Sequence, residues 1–165
     1  MKFEERCDLS LSDKYRYRKP KDGETTVSFF LDEGAECETT CTMPLDGVID
    51  EFVVHIFNFG QCHSMALALH DILGWAIVGL YDAYGDSRNT RHLGVTCNGY
   101  VGCIGGLRRT DSGRRNVDPS TLRRERKRNF VPLAHDFARH HAPRVAAELL
   151  TQMENGMWNP DWWKK

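Results

Sequence analysis

The feature that most constrains the fold is a change of apolar period in the middle of the chain. Apolar residues between positions 48 and 57 recur at helical spacing, with Asp46 as the candidate N-cap. A second helix is predicted from Cys62 to about Leu73, with Gly74 as its C-cap. From Trp75 onward the apolar residues follow an extended pattern instead. Helices and strands are therefore segregated along the chain, which favours an α+β fold.

Strands are predicted on both sides of this helical pair. β-branched and aromatic runs indicate strands at 25–31 and 38–43 before it, and at 75–81, 92–97 and 100–104 after it. The dipeptide Asn98-Gly99 favours a hairpin, because a type I′ turn needs two positive φ angles. A last helix is predicted from about Leu133 to Glu154, broken or kinked near Pro143. The expected fold is a helix on an antiparallel sheet of about three to five strands, covered on one side by a C-terminal helix.

The length of the chain favours a single domain, and its near-neutral net charge gives no general reason to expect binding to nucleic acid or to an anionic membrane. The chain has 165 residues and a formal net charge of −1, and domains cluster near about 100–150 residues. The expected organisation is a flexible N-terminal arm (1–23), a core (24–106), a basic connection (107–130) and a C-terminal helix with a tryptophan-rich tail (131–165). No apolar run approaches the roughly 18 residues of a membrane span, and no secretory signal opens the sequence, so a cytoplasmic location is expected.

Without an export signal, the cysteines are expected to be reduced thiols. Four of them are predicted to act as small apolar side chains: Cys7, Cys37, Cys41 and Cys97. A zinc site that combines the Cys37–Cys41 pair with histidines of the last helix is a weak alternative, because the spacing is loose. The histidines concerned are His135, His140 and His141. Neither a metal nor a cofactor is therefore expected.

The segment Gly60-Gln61-Cys62-His63 is the most informative for chemistry. A thiol at the start of a helix is exposed to unpaired N–H groups and to the positive end of the dipole, which favour the thiolate. Gly60 permits a tight entry and leaves room for a substrate backbone, and either the Gln61 side chain or the Cys62 amide can donate to an oxyanion. His92 opens a strand thirty residues later and can supply a base. His63 either lines the site or, as we rather expect, lies at the surface, and His55 is expected in a structural role.

The stretches GQCHSMALALHDILGW and HLGVTCNGYVGCIGG resemble the compact papain-like cysteine hydrolases, a superfamily of small peptidases, deamidases and transglutaminase-like enzymes. The resemblance covers residues 58–106. It implies that Cys62 is the nucleophile and His92 its base, with Gln61 or the Cys62 amide at the oxyanion. The third residue of the family, an Asp, Asn or Gln, is replaced at its usual place by Cys103. Besides Cys103, the candidates for orienting the imidazole are Asn98, Asp82 and Asp86, and a Cys–His dyad is the remaining option.

The leading hypothesis is a thiol hydrolase or acyltransferase, of the peptidase or deamidase type, that acts on an amide bond of a protein or peptide. The alternative is a non-catalytic binding or inhibitor protein on the same scaffold, using the basic segment 107–128 and the tryptophan-rich tail. The tail itself is expected to pack back onto the domain. The arginines of that segment can contact an acidic partner or nucleic acid, and a solvated connection between elements is the equal alternative. These arginines are Arg108, Arg109, Arg114, Arg115, Arg123 and Arg124.

Overall fold

A computed structural model of the protein describes residues 16–31, 38–81, 92–110, 112–124 and 133–165. The fold is α+β, with antiparallel sheets and a C-terminal helix, as the period change predicts. The elements in chain order are β1 (Glu24–Phe30), β2 (Glu38–Pro44), α1 (Glu51–Asn58), α2 (Cys62–Leu73), β3 (Ala76–Tyr81), β4 (His92–Cys97), β5 (Tyr100–Cys103), β6 (Gly106–Arg108), β7 (Gly113–Val117), α3 (Pro119–Arg124), α4 (His135–Asn155) and a 3₁₀ turn (Trp162–Lys164).

The strands form two antiparallel sheets. β1 and β2 pair as a hairpin, and the other strands make a five-stranded sheet in the order β6-β5-β4-β3-β7. The five strands predicted from the sequence are all present, with bounds that shift by one residue at most. The Asn98-Gly99 hairpin is confirmed, since the two residues have φ angles of 51° and 82°.

The helices agree with the predictions in position but differ at their ends. α1 is capped by Asp50, whose Oδ1 accepts a hydrogen bond from the Val53 amide at 2.9 Å. Asp46 instead accepts from the Val48 amide at 2.9 Å, in the preceding turn, so the predicted N-cap is wrong. α2 begins at Cys62 and ends at Gly74 (φ 70°), as predicted. The break expected near Pro143 does not occur, because α4 continues as one helix through that residue.

The core lies around α2, which packs against β4 on one side and α4 on the other. Met65 and Leu69 are buried toward the sheet side, and Leu67 and Ala68 are also buried. α4 approaches β5 closely, because a Cβ atom on Gly102 would come within 2.8 Å of Leu149 Cδ1. Among the described residues no single helix is long and apolar enough to cross a membrane; only α1 and α2 counted together would be, and they meet at 97°.

The basic connection is more structured than its composition predicts. It contributes β6, β7 and α3, and both Leu107 and Leu122 are buried. β7 pairs with β3, and Arg114 Nη2 donates to the carbonyl oxygen of Gly99 at 3.0 Å. A second, small cluster of buried apolar side chains forms apart from the main core: Val78, Leu80 and Val101. Two side chains of the basic connection therefore join the core, and β7 extends the sheet.

The end of the predicted arm is attached to the first hairpin. The Arg18 amide donates to Thr42 Oγ1 at 3.0 Å, and the Arg18 guanidinium forms an ion pair with Glu24. Hydrogen bonds from Arg18 and from the Lys21 amide lower the pKa of the Glu24 carboxyl to about 2. The part of the arm that the structure describes is thus bound along β2, whereas residues 1–15 lie outside the described ranges.

Candidate active site

Cys62 is placed by the tight turn between α1 and α2. Gly60 has a φ of +144°, a conformation that residues with a side chain rarely adopt. A Cβ atom on Gly60 would lie 3.0 Å from Phe29 Cα in β1. The predicted tight entry is confirmed, but the space next to Gly60 is filled by β1. The glycine therefore serves the packing of the turn, and the expectation that it leaves room for a substrate backbone is wrong.

Cys62 lies at the start of α2 and contacts an imidazole. Cys62 is the first residue of α2, a fully described helix whose first turn carries no acidic side chain. The Gln61 side chain does not cap the helix, so the positive end of the dipole acts on the first turn. Cys62 Sγ lies 3.4 Å from His63 Nδ1, a hydrogen bond whose direction depends on the protonation state of the pair. The residue is buried, with 7% of its surface exposed.

His92 lies at the wall of the crevice next to Cys62. The crevice is lined by Cys62, Cys103, the consecutive residues His92, Leu93 and Gly94, and apolar side chains of α1 and α2. Its free space is too narrow for a water molecule. Three consecutive strand residues cannot all point to one side, so part of this wall is backbone.

The register of β4 separates the His92 side chain from the thiol. Leu93 belongs to the core cluster that contains Cys62, whereas His92 pairs with Leu80 of the second cluster. Since paired and alternate residues share a face, the His92 side chain lies on the Leu80 face of the sheet. The structure thus brings Cys62, Cys103 and the His92 backbone together, and the imidazole that contacts the thiol is that of His63. Of the two positions open to His63 from the sequence, the structure supports the one at the site, because the His63 ring contacts Cys62 and the residue is partly exposed.

The Gln61 side chain is used inside the protein. It is fully buried; its Nε2 donates to the Ser28 carbonyl oxygen at 2.8 Å. Its Oε1 accepts from Ser64 Oγ at 2.9 Å and from the Ala134 amide at 2.9 Å. The side chain therefore links β1, α2 and the start of α4, and of the two oxyanion donors expected from the sequence it is the Cys62 amide that suits the role.

The candidates for orienting an imidazole lie in different places. Cys103 lines the crevice, burial raises the pKa of its thiol, and its Sγ accepts from the Gly105 amide at 3.4 Å. Asn98 sits in the hairpin turn at the opposite end of β4 from His92, roughly 20 Å away at about 3.3 Å per residue. Asn98 is therefore not brought to Cys62. Asp82 and Asp86 lie outside the described residues.

The remaining cysteines and histidines have structural roles where they are described. Cys41 is buried, and burial raises the pKa of its thiol to about 12, so its predicted apolar role is confirmed. Cys97 is half-buried, and Cys7 and Cys37 lie outside the described residues. His55 Nε2 lies 3.1 Å from the Phe30 carbonyl oxygen and its ring stacks on Phe59, which confirms the structural role expected for it.

Two of the histidines of α4, His140 and His141, bond to main-chain carbonyls. The ring nitrogens of His141 lie 2.7 Å from the Phe137 oxygen and 3.1 Å from the Val48 oxygen. His140 Nδ1 lies 2.7 Å from the Asp136 oxygen. Within the described ranges no cluster of three or more His, Cys, Asp or Glu residues is arranged to hold a metal ion.

The arginines of the basic connection are distributed over the domain. The Arg108 guanidinium lies 6.0 Å from the Trp158 ring, and that of Arg109 lies 5.0 Å from the Tyr100 ring. Other arginines bond to groups of the protein itself: Arg123 forms an ion pair with Asp71, Arg124 donates to Ser120, and Arg114 donates to main-chain oxygens. Arg115 is exposed on β7.

The tryptophan-rich tail packs back onto the sheet, as predicted. Trp162 is buried and its Nε1 donates to the Ile104 oxygen at 2.9 Å. Trp158 Nε1 donates to the Gly105 oxygen at 3.0 Å, although this residue is 52% exposed. The tail therefore covers the turn between β5 and β6, which follows Cys103.

The chemistry open to the site follows from its geometry. A thiol at the positive end of a helix, in contact with an imidazole, has the arrangement that nucleophilic acyl transfer uses. Comparisons with models of protein families, with curated proteins and with solved structures find no match to this chain.

Proposed function

We propose that the protein is a thiol hydrolase or acyltransferase that acts on an amide bond, with Cys62 as its nucleophile. The observation that carries this proposal is the contact of 3.4 Å between Cys62 Sγ and His63 Nδ1 at the start of α2. A helix N-terminus and an adjacent imidazole both lower the free energy of the thiolate. The substrate would be a peptide, an isopeptide or a glutamine side chain.

The proposed reaction has two stages. The imidazole takes the thiol proton, the sulfur bonds to the substrate carbonyl carbon, and the Cys62 amide donates to the oxyanion. The imidazolium then gives its proton to the leaving nitrogen, the C–N bond breaks and a thioester remains. Water or an amine attacks the thioester, which releases the acyl group and restores the thiol. Proton transfer of this kind contributes about 10²–10⁴ in rate.

Two histidines are candidates for the base. The distance to Sγ supports His63, whereas the resemblance to papain-like enzymes implies His92. A cysteine-bearing helix on an antiparallel sheet supports a compact papain-like fold, with Cys103 at the place of the third residue. That assignment, the peptidase or deamidase type and the cytoplasmic location stay predictions.

Acylation and alkylation of single variants test the proposal. We expect an activated ester to leave an acyl group on Cys62, detected by peptide mass spectrometry, and we expect iodoacetamide to label Cys62 faster than the other thiols near neutral pH. Cys62→Ala should abolish both the acylation and the fast alkylation, whereas Cys97→Ala should leave both unchanged. Loss of the base in His63→Ala should slow acylation by about 10²–10⁴, with His92→Ala as the rival variant. Equal, slow labelling of all thiols in the wild type would contradict the proposal.

A second candidate function is supported by one surface feature. Met157 is 69% exposed and Trp158 52% exposed, with the Arg108 guanidinium beside the Trp158 ring. We propose non-catalytic binding of an acidic partner or of nucleic acid at this place as the alternative. Titration with polyglutamate and with a single-stranded oligonucleotide should then change the fluorescence of the wild type more than that of Trp158→Phe. Binding should weaken steeply from about 50 to about 200 mM salt.

A further inference from the structure

We infer that Gln61 is a positioning residue that fixes Cys62 at the start of α2, in contact with His63 and the crevice. Its importance for catalysis rests on the proposed function, whereas its effect on the thiol does not. Gln61 is the residue immediately before Cys62, and none of its side chain is exposed to solvent. A buried amide that is fully bonded to three elements holds its neighbour in one place.

The orientation of the Gln61 side-chain amide follows from two partners, one of which can only donate a hydrogen bond and the other only accept one. The Ala134 N–H can only donate, so the side-chain atom at 2.9 Å from it is oxygen. The Ser28 carbonyl oxygen can only accept, so the atom at 2.8 Å from it is nitrogen. Ser64 Oγ, in the first turn of α2, completes the set by donating to Oε1. The amide of Gln61 thus needs both its acceptor and its donor.

The main chain of Gln61 is held in the same way. Its N–H donates to the Ile56 oxygen in α1 at 3.1 Å, and its C=O accepts from the Met65 amide in α2 at 3.1 Å. Gln61 therefore joins α1, α2, β1 and the start of α4, at the corner where α1 and α2 meet at 97°. The place of Cys62 against the crevice depends on this corner, because the corner sets where α2 begins.

The substitution Gln61→Glu distinguishes a role of Gln61 in positioning Cys62 from a role in merely filling space. A protonated glutamate has a hydroxyl that can donate to the Ser28 oxygen and a carbonyl that can accept from Ser64 and Ala134, so it reproduces the three bonds. A carboxylate cannot donate and faces the Ser28 oxygen, so burial and this contact raise the pKa of the glutamate. The network is then present at low pH and is lost as the pH rises through the raised pKa.

The test measures the pH profile of Cys62 alkylation from about pH 5 to about pH 9, with Cys97 in the same molecule as an internal reference. In Gln61→Glu and in Gln61→Leu we expect the Cys62 midpoint to rise by about one pH unit, a tenfold change in thiolate at a given pH. At the acidic end Gln61→Glu should match the wild type, whereas Gln61→Leu should not. The Cys97 profile should stay unchanged in both variants.

Gln152→Glu is the matched control, because Gln152 is also buried but bonds to the Leu107 amide, away from α2. An unchanged Cys62 profile in folded Gln61→Glu would overturn the inference, as would parallel shifts of Cys62 and Cys97 or an equal Cys62 shift in Gln152→Glu. If Gln61→Leu fails to fold, Gln61→Met takes its place, because it also removes the amide without adding a charge next to the thiol. Ordinary, slow labelling of Cys62 in the wild type contradicts the proposed function instead, and the difference between wild type and variants still decides the role of Gln61.

Discussion

Gly60 forms the tight turn that precedes the candidate nucleophile. We expect Gly60→Ala to lower the free energy of unfolding by about 1–3 kcal/mol, because its φ is +144° and a Cβ atom would lie 3.0 Å from Phe29 Cα. Gly74→Ala is the comparison, since Gly74 has a φ of 70° with open space around it and should lose only about 1 kcal/mol. Urea unfolding measures both. Equal losses would show that the contact with β1 is unimportant.

Arg18 controls the ionisation of Glu24 at the edge of the first hairpin. The pKa of Glu24 is lowered to about 2, first by the hydrogen bond from Arg18 and then by that from the Lys21 amide. A lowered pKa stabilises the fold above the ordinary value of 4.5, and this contribution is lost as the pH falls toward 2. We expect Arg18→Ala to raise the Glu24 pKa toward its ordinary value. Carboxyl ¹³C shifts followed through an acid titration measure it, and an unchanged midpoint would contradict the assigned pair.

Residue patterns predict the nucleophile but not its neighbours. Cys62 follows a turn and begins a helix, and both signals are local. The contact with His63 depends on side-chain rotamers, because adjacent helical residues point about 100° apart. The hydrogen bonds of Gln61 join it to residues 33 and 73 positions away. No local pattern contains these partners, so the sequence indicates an oxyanion donor where the structure has a buried link.

At the scale of elements, the correct predictions are those made from residues that favour the backbone conformation found at their position. The hairpin at Asn98-Gly99 and the extent of α2 follow from turn and cap residues. β7 was missed because its side chains are polar, and at the edge of the sheet only its backbone needs to pair with β3. The face assigned to His92 depends on the register with Leu80, which no single strand reveals.

Trp162 is the buried indole of the tail that follows α4. Trp162 is 3% exposed, bonds to the Ile104 oxygen and lies 5.6 Å from the Arg144 guanidinium. We expect Trp162→Ala to cost about 3–5 kcal/mol, because it leaves a cavity and an unpaired carbonyl next to the β5–β6 turn. Trp158→Ala, at a residue that is 52% exposed, should cost much less. Thermal unfolding of the two variants compares them, and a small effect at Trp162 would contradict the anchoring role.

At the scale of the whole molecule, the candidate site lies where the five-stranded sheet, the helices and the first hairpin meet. α2 packs between the five-stranded sheet and α4, and Gln61 adds the first hairpin to this contact. Cys62 is therefore positioned by contacts that are distant in sequence. Changes in the packing of α4 should consequently affect the thiol as well as the stability of the fold.

His141 connects α4 to the loop before α1 and gives the whole fold a dependence on pH. The residue is 1% exposed, and burial lowers the pKa of its imidazole below the ordinary value of 6.5, against the opposite influence of the Phe137 and Val48 carbonyls. The unfolded chain then binds a proton more readily than the folded one, so stability is complete above pH 6.5 and is lost as the pH falls through the lowered pKa.

We therefore expect the free energy of unfolding to decrease from about pH 7 to about pH 5, and His141→Gln to reduce this slope. A glutamine can still bond to one of the two carbonyls but takes up no proton. His140→Gln is the matched control, because His140 is the exposed neighbour on the same helix. Urea unfolding at several pH values measures the slopes. If His141→Gln and the wild type lose stability in parallel, the pH dependence comes from other groups, and the imidazole of His141 binds its proton equally well in the folded and the unfolded chain.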